Sequence, residues 1–266
     1  MSAGGGAGTR VPDHSVTGAG ERTLFLLHGA FGAKEYWRSQ IEAFSAAGWR
    51  VVAWDAPGYG CSPLPDPFDI EICARALGRL LDKEGGRCNV LLGHSMGGMI
   101  AQRAYDWFAD RVHGLVLSAT SAAFGNPDGE WQRKFVADRV APLDAGRTVA
   151  EHAPIFLPTM MAPGAAGPAV DRVVRVVGEM RPETFRAAIV AITRYEGRAV
   201  LPRIKVPVLA IAGELDRTAP ADVMRKMSEK IAGSEFVVMP GVGHFGWAEQ
   251  PEAFNRIVGA FLGRFG

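Results

Sequence analysis

The sequence has little net charge, few cysteines and no long hydrophobic run. Its 29 Lys and Arg residues nearly balance 28 Asp and Glu, for a formal charge of +1 at pH 7. No strong field attracts a polyanion, so nucleic acid is a poor candidate partner. No apolar run approaches the roughly 18 residues of a membrane-spanning helix, so we expect no membrane partner. The three cysteines lack metal-ligand or CxxC spacing, which argues against a disulfide framework and a zinc site.

The N-terminus is rich in glycine and lacks the apolar core of a secretory signal. We interpret residues 1–20 as a flexible lead-in and expect a cytoplasmic protein. The whole chain is 48% hydrophobic and 21% charged, which is typical of a globular protein with a sizeable core. At 266 residues, an α/β enzyme commonly has one core domain and an insertion.

Short apolar runs bounded by Gly, Asp or Pro alternate with stretches of helical periodicity. This alternation predicts an α/β fold with a mostly parallel central sheet flanked by helices. The predicted strands are residues 23–28, 50–54, 88–92, 113–118, 206–212 and 235–239. The predicted helices are residues 34–47, 69–83, 96–108, 130–140, 169–180, 182–195, 220–231 and 251–262.

The strand pattern stops between residues 121 and 203, where Pro-rich and Gly-rich joints separate helical stretches. We predict that this segment is a helical insertion over the sheet. The core domain is then formed by residues 21–120 and 204–266.

The segment Gly93-His94-Ser95-Met96-Gly97 has the pattern G-x-S-x-G and lies between a predicted strand and a predicted helix. Glycine at both ends permits a turn so sharp that a side chain there would clash. Ser95 would lie exposed at its tip, where the helix N-terminus favours negative charge. The alternative is that Ser95 only caps the helix.

A serine hydroxyl is a weak nucleophile at neutral pH and needs a base, and histidine has a suitable pKa. His244 lies in a glycine-flanked loop after the last predicted strand. Asp216 follows the preceding strand, so it should share a sheet edge with Ser95 and orient the imidazole. Glu214 is the alternative acid, and Asp216 could instead cap its own turn. We expect structural or solvated roles for the other histidines: His14, His28, His94, His113 and His152.

Three segments in the chain order Ser, Asp, His together resemble the α/β-hydrolase fold superfamily. They are Gly93 to Gly98, Gly213 to Asp216, and Gly241 to His244. The likeness runs from about Thr23 to Phe265, and the insertion matches the position of the family's cap domain. The family's opening hairpin has little counterpart here, so we expect its first strands to be short or missing.

The resemblance also implies an oxyanion hole, because the pair His28-Gly29 matches the start of the family's oxyanion loop. The backbone N–H groups of Ala30 or Phe31 and of Met96 are the implied donors. Family members with Asp at the nucleophile position are dehalogenases or epoxide hydrolases, so Ser95 favours acyl transfer to water. The expected reaction proceeds through an acyl-enzyme and requires no cofactor and no metal.

Apolar side chains near the motifs and in the insertion predict a small-molecule substrate, a largely hydrophobic ester or lactone. The candidate substrate-binding residues are Phe31, Trp131, Phe135, Phe156, Met160, Phe185, Phe245 and Trp247. About half of such residues are expected to be plain core. Arg186 or Arg194 could hold a substrate carboxylate, although solvated helix-face arginines are more common.

Two further functions and the oligomeric state stay open. The similar carbon–carbon hydrolases typically have Trp directly after the histidine, where this chain has Phe245. A ligand receptor could keep the fold and barely turn over. A homodimer is also left open.

Overall fold

A single seven-stranded sheet organises the computed structural model, which describes residues 10–126 and 128–266. Its strands are β1 (His14–Thr17), β2 (Arg22–Leu27), β3 (Arg50–Trp54), β4 (Cys88–His94), β5 (Gly114–Ser118), β6 (Val208–Gly213) and β7 (Glu235–Met239). The spatial order is β1-β3-β2-β4-β5-β6-β7. Among these seven strands, β1 and β3 pair antiparallel and the other neighbours pair parallel. The predicted α/β class with a mostly parallel sheet is confirmed.

Helices follow the strands in the alternation that the sequence predicts. They are α1 (Arg38–Ala46), α2 (Ile70–Glu84), α3 (Met96–Trp107), α4 (Glu130–Asp144), α5 (Val149–Phe156), α6 (Pro168–Gly178), α7 (Pro182–Arg194), α8 (Ala221–Ser228), α9 (Gly246–Glu249) and α10 (Pro251–Leu262). All residues of β5 and β6 are buried, as expected for central strands covered on both faces. In the described ranges, no helix is long and apolar enough to cross a bilayer.

Helices α4 to α7, here called the cap, occupy the chain between β5 and β6. An isolated bridge between Ala123 and Glu196 joins the two ends of this excursion. The N–H of Gly197 also donates to the carbonyl of Ala122 at 2.7 Å. The chain therefore leaves the sheet and returns to it at one place, close to the end of β5.

Three elements differ from the predictions. Strand β1 lies inside the predicted lead-in, whose residues 1–9 are outside the described part of the chain. It is only four residues long and at the sheet edge, and Val16 stays 41% exposed, so it has no clear burial pattern.

Helix α5 was missed because Pro154 lies inside it. A capping box formed by Thr148 and Glu151 is the signal that could have located it. The third element is the four-residue helix α9, which no predicted helix covers.

Candidate active site

The backbone of Ser95 has φ 53° and ψ −118°, a conformation that non-glycine residues rarely adopt. The flanking glycines make this turn sterically feasible. A Cβ on Gly93 would lie 2.4 Å from the carbonyl oxygen of Gly97, and a Cβ on Gly97 would lie 2.1 Å from that of Leu27. The predicted need for glycine at both positions is confirmed. Strained backbone of this kind is concentrated at functional sites.

Two contacts from the end of β5 hold Ser95 in this conformation. Its N–H donates to the carbonyl of Ser118 at 2.9 Å. The hydroxyl of Thr120 donates to the carbonyl of Ser95 at 2.6 Å. In the described structure, the Ser95 side chain makes no capping hydrogen bond to α3. Ser95 occupies the N-cap position of α3, but its side chain does not cap the helix.

The loops after β6 and β7 pack directly on one another and bring Asp216 to His244. A Cβ on Gly213 would lie 2.1 Å from the carbonyl oxygen of Gly243. The N–H of Leu215 donates to the carbonyl of Val242 at 2.9 Å. At this junction Nδ1 of His244 lies 2.8 Å from Oδ2 of Asp216, and both side chains are buried.

The electrostatic environment keeps Asp216 ionised. Burial alone would raise the pKa of this carboxyl. The charge and hydrogen bond of His244, together with N–H donation from Ala219 and Thr218, outweigh burial and lower the pKa below its ordinary value. The Oδ1 atom accepts those two N–H groups at 3.0 and 2.7 Å. Asp216 thus both caps its own turn and orients His244, so the two alternatives are compatible.

Glu214, the alternative acid, points elsewhere. Its Oε2 accepts the N–H of Gly241 at 2.8 Å, and the residue is exposed. Of the two candidate carboxylates, Asp216 is the one that contacts the imidazole.

The ring of His94, the residue before Ser95, lies 4.9 Å from the ring of His244 between centroids. Within the described residues no hydrogen bond joins the hydroxyl of Ser95 to His244. Hydrogen bonds of this kind often tighten only when substrate binds. Burial, followed by the charges of His244 and His28, holds the pKa of His94 well below its ordinary value. His94 is therefore neutral at neutral pH.

The loop after β2 is held by side chains on both sides of its backbone. The imidazole of His28 donates from Nδ1 to the carbonyl of Gly29 at 2.8 Å and accepts the N–H of Ala56 at Nε2 at 3.0 Å. The Gly29 N–H donates to the hydroxyl of Tyr36 at 2.8 Å. The Tyr59 hydroxyl donates to the carbonyl of Ala30 at 2.9 Å. His28 has the structural role that the sequence predicts.

Three backbone N–H groups near these contacts could donate to an oxyanion. In the parts of the chain that the structure describes, the N–H groups of Ala30, Phe31 and Met96 donate to no protein acceptor. Met96 opens α3, so its N–H has no acceptor within the helix. The assignment of these donors, including the choice between Ala30 and Phe31, stays a prediction.

Three of the predicted substrate-binding residues cluster above the β2 loop. The ring of Phe31 lies 4.9 Å from that of Phe156 and 5.2 Å from that of Phe185, between centroids. Phe156 and Phe185 belong to α5 and α7, so the cap and the loop of the proposed oxyanion hole share one aromatic group. We call Phe31, Phe156 and Phe185 the aromatic cluster. Met160 is also buried, and its carbonyl accepts the N–H of His244 at 2.7 Å.

The remaining candidates lie apart from the aromatic cluster. Trp131 and Phe135 pack with Phe124 along α4, and Trp131 is 53% exposed. Trp247 is fully buried against Tyr36 and Trp37, so it is a core residue. These three residues pack with other aromatic rings, and substrate binding by Trp131, Phe135 and Trp247 stays a prediction. Phe245 is buried next to His244, with ring centroids 5.3 Å apart.

The two arginines proposed for a carboxylate are surface residues. Arg186 pairs with Asp144, and Arg194 is exposed. These surroundings fit the more common role of a solvated or ion-paired arginine, and a carboxylate-binding role for either residue stays a prediction.

Sequence reasoning also missed residues that shape the site. Tyr36, Tyr59 and Thr120 hold backbone atoms of the two key loops, as described above. Glu249 does the same for the loop that contains His244, because its carboxylate accepts the N–H groups of Gly243 and Phe245. Tyr59 and Thr120 contact backbone 29 and 25 positions away, and Glu249 contacts Ala162 at 87 positions, so no local motif signals these contacts.

Comparison with known proteins shows the family of the chain. A sequence profile described as "Alpha/beta hydrolase family" matches residues 24–257. The chain belongs to the alpha/beta hydrolase family. It is 30% identical to a 2-hydroxy-6-oxononadienedioate/2-hydroxy-6-oxononatrienedioate hydrolase of Paraburkholderia phymatum, covering 98% of this chain and 93% of the relative.

Other members of the family carry esterase names. A pimeloyl-(acyl-carrier protein) methyl ester esterase of Neisseria meningitidis is 29% identical, covering 91% of this chain and 77% of the relative. The crystal structure of a thermophilic esterase from Thermogutta terrifontis superposes with a TM-score of 0.82 at 27% identity, covering 95% of this chain and 93% of that one. The two relatives and the solved structure named here carry esterase or hydrolase names.

Proposed function

We propose that the protein is a serine hydrolase that cleaves a small, largely hydrophobic carboxylic ester or lactone through an acyl-enzyme. One observation carries the proposal. The buried His244–Asp216 pair, joined at 2.8 Å, lies at the same sheet edge as the strained turn that presents Ser95. A nucleophile, a base and an orienting acid at one edge are the requirements of this chemistry.

In the proposed first half-reaction, Oγ of Ser95 attacks the carbonyl carbon while Nε2 of His244 takes the hydroxyl proton. The resulting oxyanion accepts the N–H of Met96 and that of Ala30 or Phe31. The ester C–O bond then breaks, and the proton on His244 passes to the leaving oxygen. The carboxylate of Asp216 stabilises the imidazolium while it carries that proton.

In the second half-reaction, His244 takes a proton from water and the hydroxide attacks the acyl-enzyme. The bond between the acyl carbon and Oγ of Ser95 breaks, and Ser95 recovers its proton from His244. The products are a carboxylic acid and an alcohol, or a hydroxy acid when the substrate is a lactone.

The aromatic cluster supports a hydrophobic acyl group, because three buried rings border the loop that would hold the oxyanion. The esterase names of two relatives point in the same direction. A small molecule suits such a site better than a polymer does. The relative from Paraburkholderia phymatum favours a second candidate, hydrolysis of a carbon–carbon bond in a vinylogous diketone.

A substrate panel distinguishes these functions. p-Nitrophenyl esters of increasing acyl length, simple lactones and a vinylogous 1,5-diketone are assayed with wild type and Ser95→Ala. We expect hydrolysis of esters or lactones that Ser95→Ala abolishes. Activity confined to the diketone would favour the carbon–carbon hydrolase. A single slow turnover would favour a receptor, and activity that Ser95→Ala retains would refute a serine mechanism.

A further inference from the structure

The carboxylate of Glu249 accepts three backbone N–H groups. Its Oε2 accepts from Gly243 at 2.9 Å and from Ala162 at 2.8 Å. Its Oε1 accepts from Phe245 at 3.0 Å. Gly243 and Phe245 are the residues on either side of His244, whereas Ala162 lies 87 positions away in the chain that joins α5 to α6.

The backbone of His244 is completed by the same stretch of chain. Its own N–H donates to the carbonyl of Met160 at 2.7 Å. Three successive amides, 243 to 245, therefore donate either to Glu249 or to the cap connection Met160–Ala162. The approach is close, because a Cβ on Gly243 would lie 2.5 Å from the carbonyl oxygen of Met160.

Helix α9 places Glu249 next to the loop that contains His244. Helix α9 is a single turn, in which the N–H of Glu249 donates to the carbonyl of Phe245 at 2.9 Å. The i to i+4 spacing places the side chain next to the amide of Phe245. Helix α6 of the cap packs against this turn. Buried amides need acceptors, and hydrogen bonds to an ionised carboxylate are stronger than those to a neutral group.

We propose that Glu249 is a positioning residue that attaches the loop containing His244 to the cap connection Met160–Ala162, so that the cap helps to set the position of His244. This inference rests on the proposed function, because it takes His244 as the base. Its consequence is specific. Weakening the link should slow the hydrolysis even of an ester too small to touch the cap, because the imidazole itself is displaced.

The first test uses Glu249→Ala and Glu249→Gln, with p-nitrophenyl acetate as the substrate. A displacement near 1 Å can cost about 10²-fold in rate, so we expect about that loss of kcat/KM for Glu249→Ala. Glu249→Gln keeps one acceptor oxygen and should lose about tenfold. The matched control is Glu252→Gln, three residues along and exposed, which should stay within about threefold of wild type.

A second variant cuts only the link to the cap. Ala162→Pro removes the one N–H that the connection donates to Glu249. The preceding residue, Met161, is already extended (φ −100°, ψ 168°), as a residue before proline prefers. We expect Ala162→Pro to lower kcat/KM for p-nitrophenyl acetate about tenfold. Ala162→Ser keeps the N–H and should stay within about threefold of wild type.

A spectroscopic readout separates positioning from general stability. We expect the Nδ1 proton between His244 and Asp216 to give a low-field proton NMR signal, which should shift or broaden in Glu249→Gln and Ala162→Pro. The inference is overturned if both variants, compared per folded molecule, keep kcat/KM within about threefold and leave that signal unchanged. If Glu249→Ala does not fold, these two variants decide. Because the NMR comparison needs no turnover, it distinguishes failure of this inference from failure of the proposed function, which Ser95→Ala tests.

Discussion

Nδ1 of His244 and Oδ2 of Asp216 lie 2.8 Å apart, although the residues are 28 positions apart in the chain. The contact exists because the loops after β6 and β7 approach so closely that Gly213 and Gly243 leave no room for a side chain between them. It fixes the tautomer in which Nε2 is free to accept a proton.

Asp216→Asn should lower kcat for ester hydrolysis by about 10⁴-fold while the protein stays folded, because an amide does not stabilise the correct imidazole tautomer. Glu214→Gln is the matched control. Within the described part of the chain, the Glu214 carboxylate accepts one hydrogen bond, from the N–H of Gly241, so its variant should stay within about threefold of wild type. Steady-state kinetics on both variants make the comparison. Equal losses would contradict the assignment of the acid.

Gly97→Ala should destabilise the protein by about 1 to 3 kcal/mol, because the new Cβ would overlap the carbonyl oxygen of Leu27. Gly259→Ala is the control within a helix. Gly259 lies in α10 with nothing within 4 Å of an added Cβ, so alanine should stabilise by about 0.5 to 1 kcal/mol. Urea unfolding of both variants gives the two free energies. The same sign for both would contradict the steric account.

The buried His94 should make stability fall in mild acid. Its pKa in the folded protein is well below 6.5, so the unfolded chain binds more protons between the two values. Stability therefore rises with pH in that window and is lost as pH falls below about 6.5, by at most about 1.4 kcal/mol per pH unit from this group. His28 acts in the same direction.

His94→Asn should flatten this dependence, because asparagine does not titrate. Free energies of unfolding from urea titrations between pH 5 and pH 7 provide the measurement. A wild type and a variant with the same slope would show that His94 is not held neutral.

Phe156→Ala should change substrate preference. Removing one ring of the aromatic cluster opens space beside Phe31, so the ratio of kcat/KM for bulky over acetyl p-nitrophenyl esters should rise about tenfold. Trp131→Ala, at a half-exposed position outside the cluster, should change this ratio less than about twofold. If Trp131→Ala has the larger effect, the substrate does not bind at the cluster.

Much of the core follows from the sequence, because burial and helix starts leave local signals. The predicted bounds of β3, β7 and α10 match the structure, at residues 50–54, 235–239 and 251–262. These elements are bounded by clear breaks, such as the first-turn proline Pro251. The turn around Ser95 could also be predicted, because the G-x-S-x-G motif contains the two glycines that the turn requires for steric reasons.

The parts that could not be predicted depend on packing between distant segments. Trp131 and Phe156 both look like pocket residues in the sequence, and only the arrangement of the cap helices separates them. Glu249 lies in an ordinary polar position, yet its carboxylate reaches an amide 87 residues away. Such a contact leaves no periodicity or motif behind it.

Acylation of Ser95 tests the central claim most directly. Rapid mixing with excess p-nitrophenyl acetate, followed by acid quench and peptide mass spectrometry, measures both the early release of p-nitrophenol and the site that is modified. We expect a burst close to one equivalent per chain and an acetyl group on the peptide that contains Ser95, with neither in Ser95→Ala. Turnover without that adduct, or an unchanged burst in Ser95→Ala, would contradict a nucleophilic Ser95.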